Sequence, residues 1–177
     1  GTLEEELFIE TFEGTPTLTT STPQFTDGGG DFFTVTDGSN IGGYTVTGFN
    51  GTQYFAGQDI DGEGATLPVT LSFTGIDITG YTSLMLKGLF AEDDDGGNQD
   101  WDDSDYVHID YQIDGGAITP LLYIESDVAS GFNGEPALDT DFNGVGDAPF
   151  ITSTFQQIIA AIAGTGSTLD IIITWQL

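Results

Sequence analysis

Asp139, Asp141 and Asn143 place side-chain oxygens at alternate positions of the loop D-T-D-F-N-G-V-G-D, with Gly144 next in line. That spacing matches the opening of an EF-hand-like calcium loop, where ligands at positions 1, 3 and 5 precede a turn glycine. Val145 then stands where a backbone carbonyl is used, and Asp147 where a further ligand or its water sits. The position that normally carries a bidentate glutamate is Phe150, and no amphipathic helix precedes the loop. The chain is therefore not an EF-hand. A carboxylate from elsewhere is expected to complete the shell, with Glu125, Asp127 or the acidic run ahead of them as the sources.

That run, Glu92 to Asp105, holds eight carboxylates in fourteen positions. One calcium takes only six to eight oxygens, usually including carbonyls and water, so either two ions bind here or several acids stay solvated. Asp93, Asp95, Asp100, Asp102 and Asp105 are the expected ligands, with Trp101 anchoring the loop on the core. Asp59 and Asp61, in Asp59-Ile60-Asp61-Gly62-Glu63, form a shorter candidate that a plain turn would explain equally well. Asp27-Gly-Gly-Gly-Asp31 is weaker still.

The case for a cation is electrostatic. The chain has 29 acids, one Lys (Lys87), one His and no Arg, for a formal net charge of -28. Two like charges about 4 Å apart repel by roughly 1 kcal/mol even in bulk water. With no side-chain cations to neutralise the loops, an external ion must enter them, or they must splay. Twenty Asp against nine Glu favours short ligands in tight loops over a generally salt-adapted surface. The same field disfavours direct contact with nucleic acid or anionic membrane, which call for basic patches. No apolar run approaches the roughly 20 residues of a spanning helix. Cys is absent, which leaves calcium as the natural cross-linker of a secreted chain. The chain opens at Gly1 without a basic n-region, so any secretory leader is expected to have been removed or never present.

Catalytic constellations are thin. His108 is the only histidine, set in mid-strand, and reads as an exposed or cross-strand-paired residue. Acid pairs for glycoside hydrolysis are available everywhere, and for that reason none stands out. Lys87 is expected to lay its stem on a sheet and reach a nearby acid. Tyr44, Phe49, Tyr54 and Phe55 could stack against a sugar, although packing within the fold is the simpler reading. Asn50-Gly51-Thr52 is a glycosylation sequon by pattern alone.

These loops need a scaffold, and period-two alternation supplies it. Strands are expected at Asp31–Thr36, Tyr44–Thr47, Gln53–Ala56, Leu67–Phe73, Leu84–Phe90, Tyr106–Ile113 and Ala117–Glu125, with Leu169–Trp175 central. Asp114-Gly115-Gly116 reads as a hairpin, and Pro120 marks an edge or a bulge. Phe155, Ile158, Ile159 and Ile162 recur at i, i+3, i+4 and i+7, which predicts one helix near residues 153–163, capped by Thr152 or Ser153 and stopped by Gly164. The fold class is all-β, a two-sheet jelly-roll-like sandwich over residues 31–177. Residues 1–30 are expected to form an N-terminal arm and a Thr/Pro/Gly-rich segment.

Several stretches carry a further signal: F-T-V-T-D-G-S-N-I (Phe33–Ile41), Y-F-A-G-Q-D-I-D-G (Tyr54–Gly62), L-S-F-T-G-I-D-I-T-G-Y (Leu71–Tyr81) and G-L-F-A-E-D-D-D-G-G-N-Q-D-W-D (Gly88–Asp102). With D-Y-V-H-I-D-Y-Q-I-D-G-G (Asp105–Gly116) and the Asp139–Asp147 loop, the run from Phe32 to Trp175 resembles an acidic β-sandwich module. That module recurs in secreted multidomain proteins of environmental, often marine, bacteria, beside nucleases, other hydrolases and adhesin-like proteins. The resemblance implies an accessory or structural role, extracellular or at the cell surface, and no enzyme activity. In the family a further acidic turn and strand usually follow the last apolar strand, whereas here Leu177 ends the sequence. An exposed edge and strand addition by the arm Thr2–Phe12 of a neighbour are therefore expected. The leading expectation is a calcium-loaded, self-associating subunit of a filament or matrix, holding two or more ions. The rival is a calcium-dependent module that binds a polysaccharide for a secreted hydrolase.

Overall fold

Along Tyr106–Ile113 the side chains of Val107, Ile109 and Tyr111 are buried, while Tyr106, His108 and Asp110 lie on the other side. A period of two with one apolar face is what a half-buried strand requires. The computed structural model of the chain describes residues 4–42, 45–93 and 101–177. Within these residues run β1 (Thr19–Thr20), β2 (Phe25–Thr26), β3 (Phe32–Thr36), β4 (Tyr54–Gln58), β5 (Val69–Asp77), β6 (Leu84–Phe90), β7 (Tyr106–Ile113), β8 (Thr119–Ser126), β9 (Pro136–Asp139), β10 (Gln156–Ile162) and β11 (Thr168–Gln176). A six-stranded sheet has the order β1-β5-β11-β7-β8-β9, beside a two-stranded sheet β10-β6 and a three-stranded sheet β2-β3-β4.

The sheets pack as a sandwich. Val69, Leu71 and Phe73 of β5, Ile109 of β7, Leu122 and Ile124 of β8 and Ile171 of β11 face a core shared with Phe33 of β3 and Ile162 of β10. β11 is interior, paired to β5 on one side and β7 on the other. Its end is tied to the second layer by the Ile60 N–H, which donates to the Leu177 carbonyl at 3.1 Å. Trp175 meets Phe33 and Phe55 with ring centroids 5.8 and 5.9 Å away.

Two local expectations are corrected. Residues 153–163 do not form a helix; Gln156–Ile162 is β10, antiparallel to β6 in unbroken register from Gln156 opposite Phe90 to Ile162 opposite Leu84. The isoleucines satisfy both periods. Ile158, Ala160 and Ile162 turn inward, Ile159 stays exposed, and β6 supplies the ladder partners that decide between them. The strand expected from Tyr44 to Thr47 is reduced to an isolated parallel bridge between Thr47 and Thr154, and Tyr44 lies outside the described residues. Pro120 resolves as a bulge: Ile109 pairs with Leu122 and the next residue, Asp110, with Pro120.

Among the described residues, the arm from Glu4 onward runs across the body without joining a sheet before Thr19. Glu4 forms an ion pair with Lys87 on β6, and Glu5 accepts a hydrogen bond from the Tyr81 hydroxyl at 2.8 Å. Phe8 packs on Phe73 at 5.4 Å and Phe12 on Phe55 at 6.0 Å. The Glu13 carboxylate accepts from the Thr52 and Gln53 N–H groups. β1 and β2 then tie residues 19–26 to β5 and β3.

Candidate metal centre

β9 delivers Asp139 to the start of its loop and buries it to 3% exposure. Its two carboxylate oxygens accept the N–H groups of Asn143 (3.2 Å) and Gly144 (2.8 Å), which curls the loop around the acid. The Asn143 side-chain oxygen accepts the Val145 N–H at 3.0 Å. Gly144 takes φ +86°, a left-handed value that glycine adopts without a steric cost. Gly146 is required for another reason: a Cβ there would stand 2.6 Å from the Glu125 carbonyl oxygen. The N–H groups of Gly146 and Asp147 fasten the loop to the carbonyls of Ser126 (2.9 Å) and Leu138 (2.7 Å).

Asp147 closes the loop by accepting both the Thr140 hydroxyl (2.6 Å) and its N–H (2.9 Å), and these bonds hold its carboxyl below the ordinary aspartate value. One oxygen each from Asp139, Asp141 and Asp147 lies within 4.8 Å of the other two. Oxygens on opposite sides of a calcium, bound at about 2.4 Å, are separated by about that distance, so all three can share one ion. Three of the predicted loop ligands are thus brought together, with Asn143 and Val145 in the same turn.

A second group joins the two weaker loop candidates. Asp27, Asp31 and Glu63 also place one oxygen each within 4.8 Å of one another. Asp27 accepts the Gly29 N–H at 2.6 Å, and the Asp31 carboxylate lies close against the Gly62 backbone, 2.4 Å from where a Cβ would be. Burial, then the charges of Asp59 and Asp27, push the Asp31 carboxyl above its ordinary value. Asp59 therefore lies beside this group, and of the 59–63 loop it is Glu63, not the candidates Asp59 and Asp61, that belongs to it. The paired Asp-Gly loops were visible in the sequence, but their meeting across residues 27–31 and 59–63 depends on β3 lying against β4.

The acidic run is placed in part. Asp95 and Asp100 lie outside the described residues. Asp93 accepts the Thr45 N–H at 2.9 Å, and Asp105 accepts the Asp102 N–H at 2.7 Å. Burial raises the Asp105 carboxyl. Among the described residues Asp93, Asp102 and Asp105 do not enter a group of three carboxylates. Trp101 packs on the core and bridges to Gly134, the anchoring role expected of it.

Glu125, the expected distant ligand, is buried at 6% exposure and bonded to His108 Nε2 rather than grouped with the loop acids. The His108 ring lies between Tyr106 (3.9 Å, 18°) and Tyr123 (3.6 Å, 6°). The Tyr123 hydroxyl donates to Asp110 at 2.9 Å, and burial followed by that carboxylate pushes it up to about 12. The two tyrosines thus stack on the His108 ring. Of the aromatic residues considered above as a platform, Tyr54 is buried, Phe49 packs on it, Phe55 packs among Phe33, Trp175 and Phe12, and Tyr44 lies outside the described residues.

No protein-family model matches this chain, and neither a curated protein nor a solved structure does.

Proposed function

We propose that the protein is a secreted, non-enzymatic, calcium-loaded β-sandwich of the jelly-roll kind, acting as a self-assembling subunit of an extracellular filament or matrix. The observation that carries this reading is the convergence of Asp139, Asp141 and Asp147 on one ion-sized space in a chain of net charge -28. The donors are hard oxygens, and no thiol is present to recruit a softer metal. A loop mixing carboxylates with an amide and a carbonyl suits calcium better than magnesium, which demands a near-ideal octahedron. The Asp27, Asp31 and Glu63 group takes a second ion.

Each bound calcium removes two units of negative charge and so weakens the repulsion that keeps copies apart. The arm of one subunit links it to the next, a head-to-tail contact that propagates unless it closes into a ring. The likeness to acidic modules of secreted proteins supports an accessory role. Light scattering on a sizing column, with negative-stain microscopy, tests the proposal. Large or filamentous species are expected in calcium and monomers in EGTA; monomers under both conditions overturn it.

A further inference from the structure

We infer that the arm's acceptor on a second copy of this chain is the track its own arm follows, from Lys87 on β6 across Phe73 on β5 to Phe55 on β4. This deepens the self-assembly reading and rests on it. Complementary charge gives the track a polarity. Lys87 is the only Lys or Arg beside 29 acids, and it is Glu4, at the head of the arm, that it holds. Beyond that pair the arm meets the body through the Glu5–Tyr81 hydrogen bond and through two ring contacts, Phe8 on Phe73 and Phe12 on Phe55.

The seating is made by side chains. Between residues 4–18 and the other described residues there is no backbone-to-backbone hydrogen bond, and β6 is paired on one side only, by β10. Phe8 and Ile9 remain 37% and 58% exposed. An arm held this way can leave and be replaced by an identical arm, which remakes every contact between two molecules instead of within one.

Cysteine pairs test this in a chain that has none of its own. Full-length Glu4→Cys and Lys87→Cys chains, carrying tags of different mass, are mixed in calcium and mildly oxidised. A mixed disulfide dimer well above the statistical excess of random pairing is expected. The chain with both substitutions, oxidised as a monomer in EGTA and then moved to calcium, should lose assembly and regain it on reduction. Wild-type assembly combined with random cross-linking and a locked chain that still polymerises overturns the track while leaving the subunit reading intact. A wild-type chain that stays monomeric in calcium overturns both.

Discussion

The loop Asp139–Asp147 and the Asp27/Asp31/Glu63 group each bring three carboxylates within reach of one ion, yet they differ in how many of those acids are held by hydrogen bonds. In the first, backbone N–H groups and a threonine already hold Asp139 and Asp147 in place. In the second, the acids face one another across two loops, and burial with mutual repulsion favours the protonated form of Asp31. Hydrogen bonds hold two of the three acids in the first group, whereas in the second burial and neighbouring carboxylates push the Asp31 carboxyl above its ordinary value. Preorganisation lowers the cost of binding, so the Asp139 loop is expected to fill first and the Asp31 group to show the greater change on filling.

Calcium removal has the largest expected effect. A ligand at roughly a thousandfold excess over its dissociation constant stabilises the folded state by about 4 kcal/mol per site. Melting in calcium and in EGTA, followed by circular dichroism, should therefore differ strongly, and equal curves would break the comparison at its root. Asp139→Ala comes next. It leaves the Asn143 and Gly144 N–H groups without their acceptor, at a cost of roughly 2–3 kcal/mol even without metal. Calorimetric titration should then lose the tighter of two binding events and keep the weaker.

Gly146→Ala is expected to cost about 1–2 kcal/mol, since its Cβ must push the loop away from β8. Denaturant melts measure that loss, and a calcium titration should show weaker binding at the same loop with all its carboxylates present. The smallest effects separate the two groups by sign. Asp31, with a raised folded value, contributes stability that is full below the ordinary carboxyl range and is lost as pH rises through the folded value. Asp147, with a depressed value, contributes stability present above the ordinary range and lost as pH falls through the depressed one. In EGTA at neutral pH, Asp31→Asn should raise the melting temperature slightly and Asp147→Asn lower it. The Asp147→Asn difference should close on acidification; shifts of the same sign for both would remove the distinction.

Legibility followed the range of the interactions. β7 and its turn were readable because alternation and Asp114-Gly115-Gly116 are local; Asp114 and Gly115 take φ +49° and +67°, as a tight hairpin requires. β10 misled because Phe155, Ile158, Ile159 and Ile162 fit a helical stripe while Ile158, Ala160 and Ile162 fit a strand equally well. Only the ladder to β6 breaks that tie. His108 was read as either exposed or cross-strand-paired, and it is paired; its partner Glu125 had been assigned to metal, and nothing in the spacing indicated that buried bond.

The chain's composition and short-range spacing alone determined an all-β scaffold, oxygen-rich acidic loops and a large excess of negative charge. Those properties depend on neighbours a few residues apart or on a sum over all side chains. Which acids actually meet, that Tyr54 and Phe55 turn inward, and that the arm lies from Lys87 to Phe55 were decided only in three dimensions. Each depends on residues tens of positions apart, brought together by strand pairing and by the burial of the shared core.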